Sequence, residues 1–214
     1  RHHYQMSSWS PYVNNGGTAL AIAGPNFAIV AADTRLSAGY SILSRHTSRI
    51  TKLTNQCFIV SCGQSCEVDK LQYEMTQIVQ DYVFEHKMNP SLNAIAQKLS
   101  LQLYSRRFFP YYAFNLLAGI SDTNSGIIYS YDSIGNTEPL KYGTTGSSAS
   151  AILPIVDLYF SKIKDYNEKN CIELIKDCFK SAAERDILTG DSVEIFVIRN
   201  NKEISKQVFP LRND

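Results

Sequence analysis

Apolar residues fall into two rhythms in this chain, and the rhythm switches several times. Thr18–Ala23 and Phe27–Asp33 are short, mostly apolar runs separated by Gly24-Pro25-Asn26, and they read as two buried strands joined by a turn. Residues 57–62 form a third such run, closed by Gly63. The spacing then lengthens. Val68, Leu71, Met75, Ile78, Val79 and Tyr82 share one helical stripe. Leu92, Ile95, Ala96, Leu99 and Leu103 make another, after an Asn89-Pro90 pair that suits a helix start with proline in the first turn. Strands resume at Ala113–Ile120 and at 126–132, around a hairpin-type loop at 122–125. A weaker helical stretch covers about 148–163. A clear one puts Cys171, Leu174, Ile175, Cys178, Phe179 and Ala182 on one face ahead of Gly190, a stop signal. Ser192–Arg199 and 203–209 flank a last turn at Asn200-Asn201-Lys202.

The order is strands, two helices, strands, two helices, strands. Paired helices argue against a doubly wound parallel sheet, whose helices alternate singly with strands. They predict an α+β fold of two packed antiparallel sheets with a helix pair outside each. Residues 1–17 lack periodicity and end in Asn14-Asn15-Gly16-Gly17, which predicts an extended arm with a flexible joint before one domain at 18–214. The sequence leaves open whether the arm is the natural start or what remains of a trimmed segment.

Charge narrows the function. Lys plus Arg number 21 and Asp plus Glu 20, so a phosphate-neutralising nucleic-acid binder is disfavoured. Charged residues make up only 19% and aromatics reach 11%, a balance that suits surfaces buried against other proteins. Arg106, Arg107, Phe108, Phe109 and Tyr111, in the run Ser105-Arg106-Arg107-Phe108-Phe109-Pro110-Tyr111-Tyr112, are the candidate interface anchors, read as protein contacts rather than a nucleic-acid patch. Cys57, Cys62, Cys66, Cys171 and Cys178 are odd in number and lack C-x-x-C spacing, so reduced thiols in a reducing compartment are expected. No run approaches a membrane span or a signal core, and Asn89-Pro90-Ser91 is barred from glycosylation by its proline. The expectation is a soluble intracellular chain without membrane, metal or cofactor.

Chemistry is harder to place. Gly146-Ser147-Ser148-Ala149-Ser150 is not a G-x-S-x-G elbow, and no Walker A loop, G-x-G-x-x-G or H-E-x-x-H occurs. His2, His3, His46 and His86 suggest no triad.

What remains is dispersed: Asn15-Gly16-Gly17-Thr18, Ala31-Ala32-Asp33-Thr34-Arg35, Ser61-Cys62-Gly63, Gly146-Ser147, the Tyr104-to-Tyr112 run and Ser181-Ala182-Ala183-Glu184-Arg185-Asp186. From about Ser10 to Asp214 the sequence resembles the proteasome β-subunit family, and its non-catalytic β6-type branch in particular. The resemblance implies a four-layer αββα sandwich of the N-terminal-nucleophile hydrolase type. It also implies a place in one of two inner seven-membered rings of the 20S particle, in cytoplasm and nucleus, enclosing unfolded protein substrates. The implied partners are other α and β subunits, an adjacent β5-type subunit and the opposite β-ring.

In active members of that family a leading threonine attacks the peptide carbonyl, with its own α-amine as base. Laid on that pattern from Asp33, the nucleophile column falls on Gly17, the lysine column on Arg49, and the oxyanion glycine on Gly63. Ser147 and Asp186 fill the supporting serine and second Asp, and Thr189 replaces a serine. Thr18 lies one residue on, and strand alternation is expected to turn its hydroxyl away from the site. With residues ahead of it, its nitrogen is an amide and not an amine. The expectation is therefore a pseudo-catalytic, structural subunit of an endopeptidase complex. The alternative is an active threonine protease matured at Gly17–Thr18. The resemblance also implies that the strand-end region 118–122, through Ser121 and Asp122, helps to shape the pocket of the neighbouring β5-type subunit.

Overall fold

The structure, a computed structural model, describes residues 10–163, 166–200 and 203–212. Residues 1–9 of the expected arm, and Asn201 and Lys202 of the expected last turn, lie outside them. The elements in order are β1 Thr18–Ala23, β2 Phe27–Asp33, β3 Leu36–Ala38, β4 Ser41–Ser44, β5 Ile50–Thr54, β6 Cys57–Gly63, α1 Ser65–His86 and α2 Leu92–Tyr104. They continue with β7 Ala113–Ile120, β8 Gly126–Tyr131, β9 Thr137–Leu140, β10 Tyr142–Gly146, α3 Ala149–Lys162, α4 Glu168–Arg185, β11 Ser192–Arg199 and β12 Ser205–Pro210.

One five-stranded sheet runs β10-β1-β2-β11-β12 and the other β5-β6-β7-β8-β9, with β3-β4 as a separate hairpin. Every pairing is antiparallel. The pleat explains the layering, because alternate side chains leave a strand on opposite faces. On β1 and β2, Leu20, Ile22, Phe27, Ile29 and Ala31 face α3 and α4, joining Ile152, Val156, Ile175 and Phe179. Ala19, Ala21, Ala28, Val30 and Ala32 face the other way, against Phe58, Val60, Leu116 and Ala118. The alanines leave room for the larger side chains of the opposing sheet, and each large one buried is worth about 1.5–3 kcal/mol. The outer face of the second sheet packs Ile59 and Leu117 on Leu71, Met75, Ile95 and Leu99 of α1 and α2. These are the four layers of an αββα sandwich, the N-terminal-nucleophile hydrolase arrangement.

Some boundaries shift. Pro90 does not open α2; Ser91 does, its hydroxyl accepting the N–H of Ala94 at 3.2 Å, so the proline sits just ahead of the cap. The helix expected at 148–163 occupies Ala149–Lys162, with Ser148 and Ile163 as its flanking residues. The last strand begins at Ser205 rather than at 203.

Candidate functional site

The ends of β1, β2, β6 and β10 converge, and glycines permit the convergence. Gly17, just before β1, has φ +88°, and Gly146, closing β10, has φ +99°. A Cβ on Gly146 would lie 2.0 Å from the Gly17 carbonyl oxygen, so only glycine lets the chains approach this closely. The Gly17 carbonyl in turn accepts the Ser147 N–H at 2.9 Å.

Arg49 occupies the space on the other side. A Cβ on Gly17 would stand 2.2 Å from Arg49 Cζ, so the guanidinium fills the volume a side chain there would need. Arg49 is 4% exposed, lies 3.4 Å from Asp33 Oδ1 through Nε, and donates through a terminal nitrogen to the Arg35 carbonyl. Asp33 ends β2 with no exposed surface. Its Oδ1 accepts the Thr18 N–H at 2.8 Å and its Oδ2 the Gly190 N–H at 3.3 Å. Burial pushes this carboxyl up to about 6, and Arg49 and the backbone N–H groups of Thr18, Gly190 and Arg35 recover only part of that shift.

The second half of the site is a web of hydroxyls on Asp186, the residue that follows α4 as its C-cap. Its Oδ2 accepts from Ser147 at 2.5 Å, Ser148 at 2.6 Å and Thr189 at 2.7 Å, and its Oδ1 from the Leu188 N–H at 2.9 Å. Burial works to raise this carboxyl, but those four donors outweigh it and hold Asp186 below the ordinary carboxylate range. Thr18 belongs to the same web. Its oxygen accepts the Ser148 N–H at 3.1 Å and lies 2.7 Å from Thr189 Oγ1 and 3.4 Å from Ser147 Oγ. Proton bookkeeping fixes the direction: Thr189 spends its proton on Asp186, so Thr18 donates to Thr189. The alternation argument therefore needs correcting. The Thr18 hydroxyl does not leave the site; it passes from the Arg49 half to the Asp186 half.

Gly63 stands beside this cluster at the end of β6, with φ +134° and no room for a Cβ, which would lie 2.2 Å from the Tyr112 carbonyl oxygen. Gly63 and Ser147, together with Gly16, Tyr112 and Phe114, line a cleft of about 360 Å³. The structure thus brings Gly17, Asp33, Arg49, Ser147 and Asp186 together and sets Gly63 alongside them.

Among the described residues, the Thr18 hydroxyl has neither a free amine nor a strongly basic carboxylate in its own hydrogen-bond chain. Thr18 carries an amide, not an amine, and that amide donates to Asp33. The only carboxylate in its hydroxyl chain, Asp186, is the weakly basic one. Sequence reading missed Ser148, adjacent to Ser147 and equally bound to Asp186. It also missed the ion pair of Arg35 with Asp191 at 2.9 Å, joined by Arg45. Asp191 has a left-handed φ of +68°, which nothing in its neighbours' composition announces.

The remaining expected residues lie elsewhere. Ser121 and Asp122 follow β7 at the end opposite Ala113, which pairs with Gly63; the seven residue steps from Ala113 to Ile120 alone span roughly 24 Å. Asp122 lines a cavity of about 880 Å³ with Lys52, Gln56, Asn89 and Arg199. At the end of α2, Phe108 is 94% and Phe109 60% exposed, and Arg107 lies over the Tyr104 and Phe108 rings. Tyr111 corrects the interface reading: it is 1% exposed, packed in the core under the Arg106 guanidinium, with its hydroxyl on Glu74 at 2.8 Å. It cannot present its ring to a partner.

The model of the family described as "Proteasome subunit" matches residues 13–198. Among curated relatives, the Petunia hybrida protein named "Proteasome subunit beta type-1" is 40% identical, the match covering 98% of this chain and 99% of that one. The Arabidopsis thaliana protein of the same name is 41% identical over the same shares, and the Drosophila melanogaster one 41% identical over 96% and 91%. With the family match spanning most of its length and relatives of this similarity end to end, the chain belongs to the proteasome subunit family.

Proposed function

We propose that this chain is a non-catalytic β subunit of the proteasome core, a structural member of a protein-degrading complex that performs no peptide-bond cleavage itself. The observation that carries this reading is the Gly17–Arg49 pair. Where a nucleophilic side chain would stand there is a hydrogen atom, and a permanently charged guanidinium fills the volume around it. The hydroxyl next along the chain, on Thr18, is fully buried in mid-chain and tied through Thr189 to a weak base.

The work left to such a subunit is architectural. It would close a seven-membered β-ring, meet the opposite β-ring and an α subunit, and wall a chamber that holds unfolded protein, in cytoplasm and nucleus. The exposed Phe108 and Phe109 suit subunit contact. Half-buried Ser121 and exposed Asp122, the latter lining the groove of about 880 Å³, are the residues proposed to reach the adjacent β5-type subunit.

The test is to purify the endogenous complex, treat it with an electrophilic threonine-protease inhibitor, and measure subunit count and the intact mass of each chain. The expected result is incorporation into a ring assembly with the inhibitor on other chains only. Finding Thr18 at the N-terminus, or carrying the inhibitor, would overturn the reading in favour of a protease matured at Gly17–Thr18.

A further inference from the structure

Acidic residues are missing from one long stretch of this chain. Between Glu85 and Asp122 no Asp or Glu occurs, while Lys87, Lys98, Arg106 and Arg107 do. The two arginines stand on the connection that follows α2, where Ser105 caps the helix and the backbone goes on turning. The Arg106 N–H donates to the Leu103 carbonyl at 3.1 Å, that of Arg107 to Tyr104 at 3.0 Å, and that of Phe109 to Arg106 at 3.1 Å. These bonds shape residues 104–109 into a knob rather than an open loop.

Aromatic rings hold both guanidinium groups. Arg106 lies 4.3 Å from the centre of the buried Tyr111 ring, and Arg107 lies 5.7 Å from that of Tyr104 and 5.4 Å from that of Phe108. A planar, weakly hydrated guanidinium suits such faces. Neither has a counter-charge of its own. Among the described residues the arginines in ion pairs are Arg35, Arg45, Arg49, Arg199 and Arg212. Glu74, which the Tyr111 hydroxyl reaches, is already bound by Lys70 at 3.0 Å and Gln102 at 2.8 Å. Around the arginines the exposed surface is apolar, made by Leu101, Tyr104, Phe108 and Phe109.

Covering the Phe108 ring therefore covers Arg107 as well. A charge taken out of water without a counter-charge opposes binding strongly, and this chain has no carboxylate here to offer. The occupant must bring one. A nucleic acid would bring phosphates, but it is held by many cations along a groove, and here two stand on one knob.

We propose that the knob at residues 104–109 docks on a protein segment that sets an Asp or Glu carboxylate against the Arg107 guanidinium and an apolar pocket around the Phe108 ring. The fork of Arg107 matches a carboxylate bidentately, so the pair fixes the register while the ring supplies buried area. Arg106, anchored inward on Tyr111, adds a second positive charge beside it. The inference deepens the reading of this chain as an assembled subunit, and rests on it, by giving the chemistry of the neighbour's surface.

The test uses the purified complex with Phe108 replaced by the photoreactive p-benzoylphenylalanine. Irradiation and peptide mass spectrometry should give one crosslinked subunit segment with an Asp or Glu beside the modified residue. Arg107 is exposed, so Arg107→Glu should unfold at the wild-type temperature, yet enter the complex at least roughly tenfold less well than wild type in competitive co-expression. Arg107→Lys, which keeps the charge but not the fork, should fall between them. Changing the crosslinked segment's carboxylate to lysine should restore Arg107→Glu and harm the wild type, as a charge pair requires and a folding defect does not. Crosslinks to nucleic acid, crosslinks to a segment without a carboxylate, or equal incorporation of wild type and Arg107→Glu would each overturn the proposal alone. A wild-type chain found in no assembly would overturn the subunit reading, and the proposal with it.

Discussion

A Cβ on Gly17 and the Arg49 Cζ would be 2.2 Å apart, so a side chain at 17 and an arginine at 49 exclude each other. Gly17 also has φ +88°, which a β-branched residue adopts only at a cost of about 1–3 kcal/mol. Gly17→Thr is therefore expected to lower the melting temperature by roughly 5–10 °C, and to create no reactivity toward a threonine-directed inhibitor. Gly17→Thr with Arg49→Lys should recover part of the loss, because the smaller ammonium vacates the contested volume. Thermal unfolding of the three proteins checks the order. A Gly17→Thr protein as stable as wild type would mean that Arg49 does not occupy that volume.

Asp33 gives a pH signature. Its carboxyl titrates near 6 in the fold against 3.8 as a free side chain, because burial outweighs its partners. The folded chain thus holds this proton more tightly than the unfolded one. The group's contribution to stability is complete below about pH 4 and is lost as pH rises through 6, with a slope of at most about 1.4 kcal/mol per pH unit. Asp186 and Asp191 are held low instead, so they stabilise above their free value and lose that contribution as pH falls further. Denaturant unfolding of wild type and Asp33→Asn between pH 4 and 7 separates the two. The difference, wild type minus variant, should fall as pH rises, and a flat difference would show that Arg49 neutralises the burial.

Removing Asp186 tests the hydroxyl web. Ser147, Ser148 and Thr189 all donate to its Oδ2, so Asp186→Ala leaves several donors without their acceptor at about 1–3 kcal/mol for each one that stays buried and unsatisfied. Because Thr18 hangs on Thr189, the loss should spread to the start of β1, seen as faster amide exchange at Thr18. If the chain is non-catalytic as proposed, Thr18→Ala should instead leave peptidase activity of any assembly untouched.

Much of this was readable in the residues, and the misses have physical causes. The strands easiest to read are those buried along their whole length, Thr18–Ala23, Phe27–Asp33 and Cys57–Gly63, whose runs are dense in apolar residues. Those overlooked, such as Ser41–Ser44, Thr137–Leu140 and Tyr142–Gly146, are short, polar and at edges or in the separate hairpin. Pro139 can sit in β9 because that strand has a neighbour on one side only. In the site, residue-by-residue resemblance found the charged positions but could not give direction. Alternation predicted that the Thr18 hydroxyl would leave the site, and it stays, because its destination depends on Ser147 and Thr189, far off in sequence.

Tyr111 and Phe108 sit three residues apart and should behave oppositely. Tyr111 is in the core, so Tyr111→Ala is expected to cost about 3–5 kcal/mol of stability, and Tyr111→Phe about 1 kcal/mol through its bond to Glu74. Phe108 touches solvent, so Phe108→Ala should leave the isolated chain's unfolding within about 0.5 kcal/mol of wild type while weakening its incorporation into the complex. Co-expression with partner subunits and native mass spectrometry reads the second effect, and full incorporation of Phe108→Ala would remove this ring from the interface.

Asp122 allows the sharpest separation of fold from function. It is exposed, and no ion pair holds it among the described residues, so Asp122→Ala removes no internal contact and stability should not change measurably. Ser121 differs, because its hydroxyl is spent within its own turn on Ser125 at 2.9–3.0 Å. If the end of β7 reaches a neighbour's substrate pocket, the loss of the Asp122 carboxylate alters one peptidase activity of the assembled particle by roughly two- to fivefold, the scale of one exposed charge contact, and spares the others. The effect should shrink in high salt, as a screened charge contact must. Equal activities for wild type and Asp122→Ala against every class of peptide substrate would confine Asp122 to the surface groove it already lines.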